Sequence, residues 1–359
     1  MNWGIIGLPQ AGKTTLFQIL TRTQPRESHH YGETQHIGVV KIPDERLDQL
    51  AQLFGSAKIT HATAEFVDLA AISKENLRES SYLNTLRAMD GLIHVARFFR
   101  NAAVPNATEP PDPNRDIGDV EVELLLSDLG VIENRLAKIE KDRKKIKGTD
   151  LEREQSILER MKEWLESGKP LREAAWSAQE KKPLQGFSFL SEKPLLAVLN
   201  VAEEKAGSIR EIAESPEFAP WRNRSGMHFA AIAGSIEAEL ATLPDKDVPE
   251  LIASYGLPEL GSVRIVRATC ELMGLITFFT LGDKECRAWL IPRGATALQA
   301  AGTIHSDIEK HFIRAEVVGW EAFLEAGGWG GGRIHGALRV EGKEYPVQDG
   351  DVINVRHSG

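Results

Sequence analysis

The chain is poor in the features that mark several protein classes. Only two cysteines, Cys270 and Cys286, occur in 359 residues. Neither belongs to a C-x-x-C pair, so a disulfide framework and a cysteine zinc site are excluded and both thiols are expected to be structural. No stretch approaches the roughly 18 consecutive apolar residues of a membrane span. The N-terminus enters a strand-like segment with no basic n-region or cleavage site, so the expectation is a cytoplasmic protein with no membrane partner. Nothing repeats at a period of 20 to 50 residues, which argues against a solenoid or propeller. Positive charge is also in deficit: 43 Lys and Arg against 52 Asp and Glu leave a net charge of -9. A nucleic acid would therefore have to be met by a local basic surface.

What is present is a globular composition, 42% hydrophobic and 26% charged, on a chain long enough for two or three domains. "GIIGLPQAGKTTLFQIL", residues 4–20, contains G-x-x-x-x-G-K-T between a strand-like and a helix-like segment. In such a loop the backbone N–H groups of Gln10, Ala11, Gly12, Lys13, Thr14 and Thr15 face phosphates. Lys13 reaches the β and γ phosphates, and the Thr14 hydroxyl ligates Mg²⁺. Short apolar runs without alternation, "AEFVDLA", "GLIHVARFF" and "PLLAVLNV", fit parallel strands covered on both faces, hence a doubly wound α/β domain. Asp68 closes the first of these runs at a strand end, where open α/β sheets place ligand-facing groups, and is the second candidate Mg²⁺ ligand.

Asn200 ends "PLLAVLN" and Glu203 follows three residues later. Guanine switches carry N-K-x-D there; here Val201 replaces the lysine and the carboxylate is one methylene longer, which weakens guanine selection without dictating adenine. Leu125, Leu129, Ile132, Leu136 and Ile139, then Leu151, Leu158, Met161 and Leu165 beyond "KGTD", predict an antiparallel helical hairpin. Its charge run "KIEKDRKKIK" reads either as a solvated face or as a nucleic-acid contact. From residue 275, "LITFFTL" and "CRAWLIP" predict a strand hairpin, "TALQAAGTIHSDIEKHF" a helix, and "IRAEVV", "GALRV", "EYPVQ" and "DVINVR" further strands. "GGWGGG", residues 327–332, reads as a loop. His305 and His311, six apart, do not form a helical metal pair.

Taken together, "GLPQAGKTTLFQILT", "IGVVKIPDERLDQLA", "EFVDLA", "NVAEE", "IEAEL" and the long C-terminal block "GLITFFTLGDKECRAWLIPRGATALQAAGTIHSDIEKHFIRAEVV" resemble the Obg-like ATPase, or YchF, family. The resemblance implies a P-loop nucleotide-binding domain over 1–120 and 183–274, interrupted by a helical hairpin over 121–182. A β-grasp (ubiquitin-like, TGS) domain over 275–359 follows. It also implies a slow ATPase that reads its base with N-x-x-E through Asn200 and Glu203, with Val201 between them and the backbone of Ala230 and Ala231 alongside. The implied partners are ATP (or GTP), Mg²⁺ and a ribosome or RNA met through the TGS domain and the hairpin, with a monomer as default. Arg287, Arg293, Lys310, Arg314 and Arg333 are candidates for a basic face. The chain departs from the family pattern where Ala71 replaces the glycine of D-x-x-G, where Asn106 stands for the water-positioning histidine, and at switch I, whose Mg²⁺ ligand has Thr34 as its nearby candidate. These departures keep open a nucleotide-gated binding protein that does not turn over; a conventional GTP-binding switch is a third reading, which requires GTP to outcompete ATP.

Overall fold

The computed structural model describes residues 1–22, 35–73, 75–100, 110–143 and 149–358. They fall into two compact units, Met1–Val40 with Glu65–Ala268, and Lys41–Ala64 with Thr269–Gly359. Among the described residues the strands are, in chain order, β1 (Asn2–Ile6), β2 (Gln35–Lys41), β3 (Ile59–Thr60), β4 (Thr63–Leu69), β5 (Gly91–Phe98), β6 (Leu195–Val201), β7 (Met227–Ile232), β8 (Leu275–Leu281), β9 (Cys286–Pro292), β10 (Phe312–Gly319), β11 (Arg339–Glu341) and β12 (Asp351–His357).

The first unit is built on a sheet of order β2-β4-β1-β5-β6-β7. β1 pairs in parallel with β4 and β5, and β5, β6 and β7 continue in parallel. Every residue of β6 is buried, which is why its sequence shows no alternation: both faces meet apolar side chains. Parallel strands share one carboxyl edge. The segments that follow Ile6, Leu69, Phe98, Val201 and Ile232 therefore emerge together, and that edge is where a ligand is expected.

The helical hairpin runs through Pro113–Arg143 and Thr149–Glu166. Leu125, Ile132 and Ile139 bury against Leu158, Met161 and Leu165 along the expected seam, with Leu129 and Leu136 packed beside it. The first helix starts ahead of the expected boundary at 121. Asp112 Oδ1 accepts the Arg115 N–H at 3.1 Å and Pro113 opens the helix, a start signal written in "DPNR". Asp128 ties this helix to the chain entering β6, accepting the N–H groups of Leu190 (2.9 Å) and Ser191 (2.7 Å). Burial pushes its carboxyl up to about 6.

The second unit has a sheet of order β11-β10-β12-β8-β9-β3. On one face Ile276, Phe278, Ile291, Val317 and Ile353 pack with Ala300 of the helix Ala297–Ile304. The other face, with Phe279, Cys286, Ala288, Val318 and Val352, is closed by Phe323 and by Leu47, Leu50 and Ala51 of the helix Glu45–Phe54. Residues 41–64 thus group with the C-terminal module, although their place in the chain predicts the nucleotide domain.

Three local expectations change here. The glycine-rich stretch is helical over Trp329–Ile334, because Trp329 stands edge-on to Phe323 at 5.1 Å and Gly331 lies so close to Ala326 that a Cβ would overlap its carbonyl. The expected single helix is two, Ala297–Ile304 and Ser306–Lys310, because His305 is extended and its Nδ1 accepts the Asp307 N–H at 3.1 Å. "EYPVQ" contributes only the Thr296–Pro346 bridge. Among the described residues no helix is long and apolar enough to cross a membrane. Cys270 and Cys286 are both free thiols.

Candidate functional site

A cavity of 590 Å³ opens at the carboxyl edge of the first sheet, lined by Gln10, Gly12, Lys13, Thr14 and Thr15 from the loop after β1. Asn200 to Glu204 form a second wall, Gly234 and Ser235 a third, and Phe99 and Arg100 complete it. The volume lies within the ordinary range for a small-molecule site. The loop turns through positive φ at Gln10 (59°) and Gly12 (101°) and opens directly into the helix Lys13–Thr21. Its N–H groups and the helix dipole both favour an anion.

The Lys13 ammonium is held inside the loop, donating to the carbonyls of Leu8 (3.0 Å) and Gly7 (3.3 Å). Burial lowers its pKa and the nearby Asp68 charge opposes that shift. Thr14 Oγ1 donates to Asp68 Oδ2 at 2.8 Å, while Asp68 Oδ1 is buried with no hydrogen-bond partner among the described residues. Burial raises the Asp68 pKa, opposed by the Thr14 hydrogen bond and then by Lys13. A hydroxyl and an unsatisfied carboxylate oxygen fit a hard divalent cation taking oxygen ligands. Among the described residues no three His, Cys, Asp or Glu gather into a metal cage. Water and ligand oxygens would have to complete the shell.

Asn200 connects the parts. Its Nδ2 donates to the Ala11 carbonyl at 3.0 Å and its Oδ1 accepts the Gly234 N–H at 3.1 Å. A Cβ at Gly12 would overlap Nδ2, and one at Gly234 would fall 2.6 Å from Oδ1. Both glycines are therefore required by close approach to one amide. Val201 and Glu203 stand on the same wall as Asn200.

Ala230 and Ala231, expected beside the base, instead lie inside β7, buried at 4% and 1% exposure, and the cavity wall is made four residues later by Gly234 and Ser235. No side-chain chemistry marked the right register. Arg100 and Glu204 were also missed; following β5 and β6 to their carboxyl ends would have found them. Thr34 and Asn106 lie outside the described residues. After Asp68 the chain is tied down at several points. The Ile72 N–H donates to the Gly7 carbonyl (3.0 Å), Asn76 Nδ2 to Ala71 O (2.7 Å) and the Tyr82 hydroxyl to Ala70 O (3.0 Å).

In the second unit only part of the expected basic face converges. Glu316 accepts from Arg333 (3.0 Å), Arg356 (2.9 Å) and Asn354 (3.0 Å), and Arg314 is the cross-strand neighbour of Arg356. Arg287 instead stacks on Trp289 at 4.0 Å.

Comparison with known proteins gives a consistent result. A family model described as YchF-GTPase_C, protein of unknown function, matches residues 275–358, and one described as MMR_HSR1, 50S ribosome-binding GTPase, matches residues 2–135. The "Ribosome-binding ATPase YchF" of Bacillus subtilis (strain 168) is 35% identical over 362 residues, covering 98% of each chain. That of Escherichia coli O157:H7 is 37% identical over 359 residues, covering 98% of this chain and 97% of its own. The solved "Structure of the Schizosaccharomyces pombe YchF GTPase" aligns with a TM-score of 0.82 at 25% identity, covering 99% of this chain and 97% of that one.

Proposed function

The chain belongs to the YchF family, and from that premise we propose that it is a Mg²⁺-dependent ATPase of slow turnover whose nucleotide state controls its association with the ribosome. The observation that carries the reading is the pairing of Thr14 with Asp68 beside the partly buried Lys13, at one end of the 590 Å³ cavity. When bound, the cation neutralises charge on the triphosphate and draws its oxygens into one geometry. Lys13 presents a fixed positive charge to the same end, and the loop N–H groups orient the phosphates. At the other end Asn200 shapes the wall and Glu203 offers a carboxylate acceptor to an exocyclic amine. The names of the relatives divide between ATPase and GTPase, so the preference for adenine rests on N-x-x-E.

The cluster of Arg314, Arg333 and Arg356 around Glu316 gives this acidic chain a local positive surface suited to phosphate groups of ribosomal RNA. A cytoplasmic monomer completes the reading. Displacement of a fluorescent nucleotide by ATP and GTP tests the base, and multiple-turnover phosphate release with and without ribosomes tests the reaction. ATP should displace at the lower concentration, and ribosome binding should differ between ATP and ADP. GTP outcompeting ATP would make the protein a GTP switch instead. A second reading, a nucleotide-gated binder without turnover, is favoured by one observation: the segment after Asp68 is hydrogen-bonded to the phosphate loop and to Tyr82 and Asn76. Phosphate release at background level in the presence of ribosomes would select it.

A further inference from the structure

We propose that Arg264 and Glu237 set the base selectivity of the cavity from behind its wall, as positioning residues that do not touch the ligand; this rests on the nucleotide reading above. The wall formed by Gly234 and Ser235 is the start of the helix Gly234–Thr242. Glu237 lies in the first turn of that helix with its side chain fully buried, and it points back at the turn it has just left. Its Oε1 accepts the Ala233 N–H at 3.0 Å and a guanidinium N–H of Arg264 at 2.8 Å.

Arg264 divides its donors three ways. Nη2 meets Glu237, Nε meets the Ala231 carbonyl at the end of β7 (3.1 Å), and Nη1 meets the Glu259 carbonyl (3.1 Å). One rigid plane therefore joins the strand that enters the turn, the loop before the helix Gly261–Leu272, and the carboxylate that holds the turn. The next N–H along, that of Gly234, is fixed from the opposite side by Asn200 Oδ1. Successive amides of the turn are thus pinned by two different side chains, one facing the cavity and one behind it.

Burial raises the Glu237 pKa and Arg264 is the largest opposing influence. The carboxylate also sits beside Gly261, at the N-terminus of the helix that carries Arg264, where the helix dipole favours a negative charge. Holding a buried ion pair costs desolvation and is weak evidence for stability alone. Its geometry here has a more specific result: it fixes how far Gly234 and Ser235 stand from Glu203 across the cavity. A shift of that wall changes which base edge Glu203 meets and leaves the phosphate loop in contact with its ligand.

The test uses the full chain with Arg264→Lys, which keeps the charge and loses the fork, and Glu237→Gln, which keeps an acceptor for Ala233 and loses the charge. Affinities for ATP, GTP and inorganic tripolyphosphate are measured by nucleotide displacement, with a thermal melt of each variant. Arg264→Lys should weaken ATP by about 10-fold while GTP changes by less than about 3-fold and tripolyphosphate by less than about 2-fold. Glu237→Gln should move the ATP:GTP ratio in the same direction by a smaller factor. If Arg264→Lys does not fold, Glu237→Gln decides alone. Folded variants in which all three ligands weaken equally, or in which the ratio is unchanged, overturn the proposal. A wild-type protein that binds neither nucleotide brings down the nucleotide reading itself, and this inference with it.

Discussion

The two ends of the nucleotide cavity are built in opposite ways. The phosphate end is one contiguous stretch, residues 7–15, whose geometry is set by backbone conformation and a single lysine. The base end is assembled from the ends of β5, β6 and β7, spread over more than a hundred positions from Phe99 to Ser235, and is held by Asn200 on the cavity side and by Glu237 with Arg264 behind it. A local motif can be read from a sequence because its spacing is its geometry. An assembled wall cannot, because its shape depends on registers set elsewhere.

The sharpest test of the contrast is Lys13→Ala, which removes a partly buried charge from the self-contained end. ATP affinity by calorimetry should fall by about 100-fold. Affinity equal to wild type would place the phosphates elsewhere and break the comparison. Next is Asn200→Ala. It strands the Ala11 carbonyl and the Gly234 N–H, and should lower unfolding free energy by about 2 kcal/mol in urea titration while weakening ATP more than tripolyphosphate. Equal losses for both ligands would mean that the amide serves the phosphate loop alone.

A smaller effect concerns the entry to β6, which carries the base wall. The Asp128 carboxyl titrates at about 6 in the folded chain, above its ordinary value. The folded protein therefore holds that proton more tightly than the unfolded chain does. Its favourable contribution is complete below pH ~4 and is lost as pH rises through about 6. Between those limits wild-type stability, referenced to Asp128→Asn, should fall by about 1 to 2 kcal/mol. A flat difference would show the carboxyl to be ordinary. The smallest expected change is Glu203→Ala, which should alter the ATP:GTP affinity ratio by only about 3- to 5-fold, since the wall geometry persists without the acceptor.

Much of the first unit was legible for the same reason that its phosphate end was. Strand, loop and helix were adjacent, and Asp68 followed from the strand-end rule. Ala230 and Ala231 were expected at the wall four residues ahead of Gly234 and Ser235, because a backbone contact leaves no side-chain signature to set the register. The glycine-rich helix was hidden for a different reason: glycines read as a loop, and Trp329 alone could not announce that Phe323 would receive it. Leu47, Leu50 and Ala51 form the buried apolar stripe of the helix Glu45–Phe54, but the sequence of such a stripe does not name the surface that it covers.

That last stripe has a practical consequence. The helix Glu45–Phe54 covers Phe279, Cys286, Val318 and Val352, yet it is encoded more than two hundred residues before the module it completes. A fragment beginning at residue 275 would carry the whole matched C-terminal family region and still expose an apolar sheet face. Its aggregation or stickiness would be an artefact of cutting, so the proposed role of this module in ribosome association has to be tested by surface arginine substitutions in the intact chain.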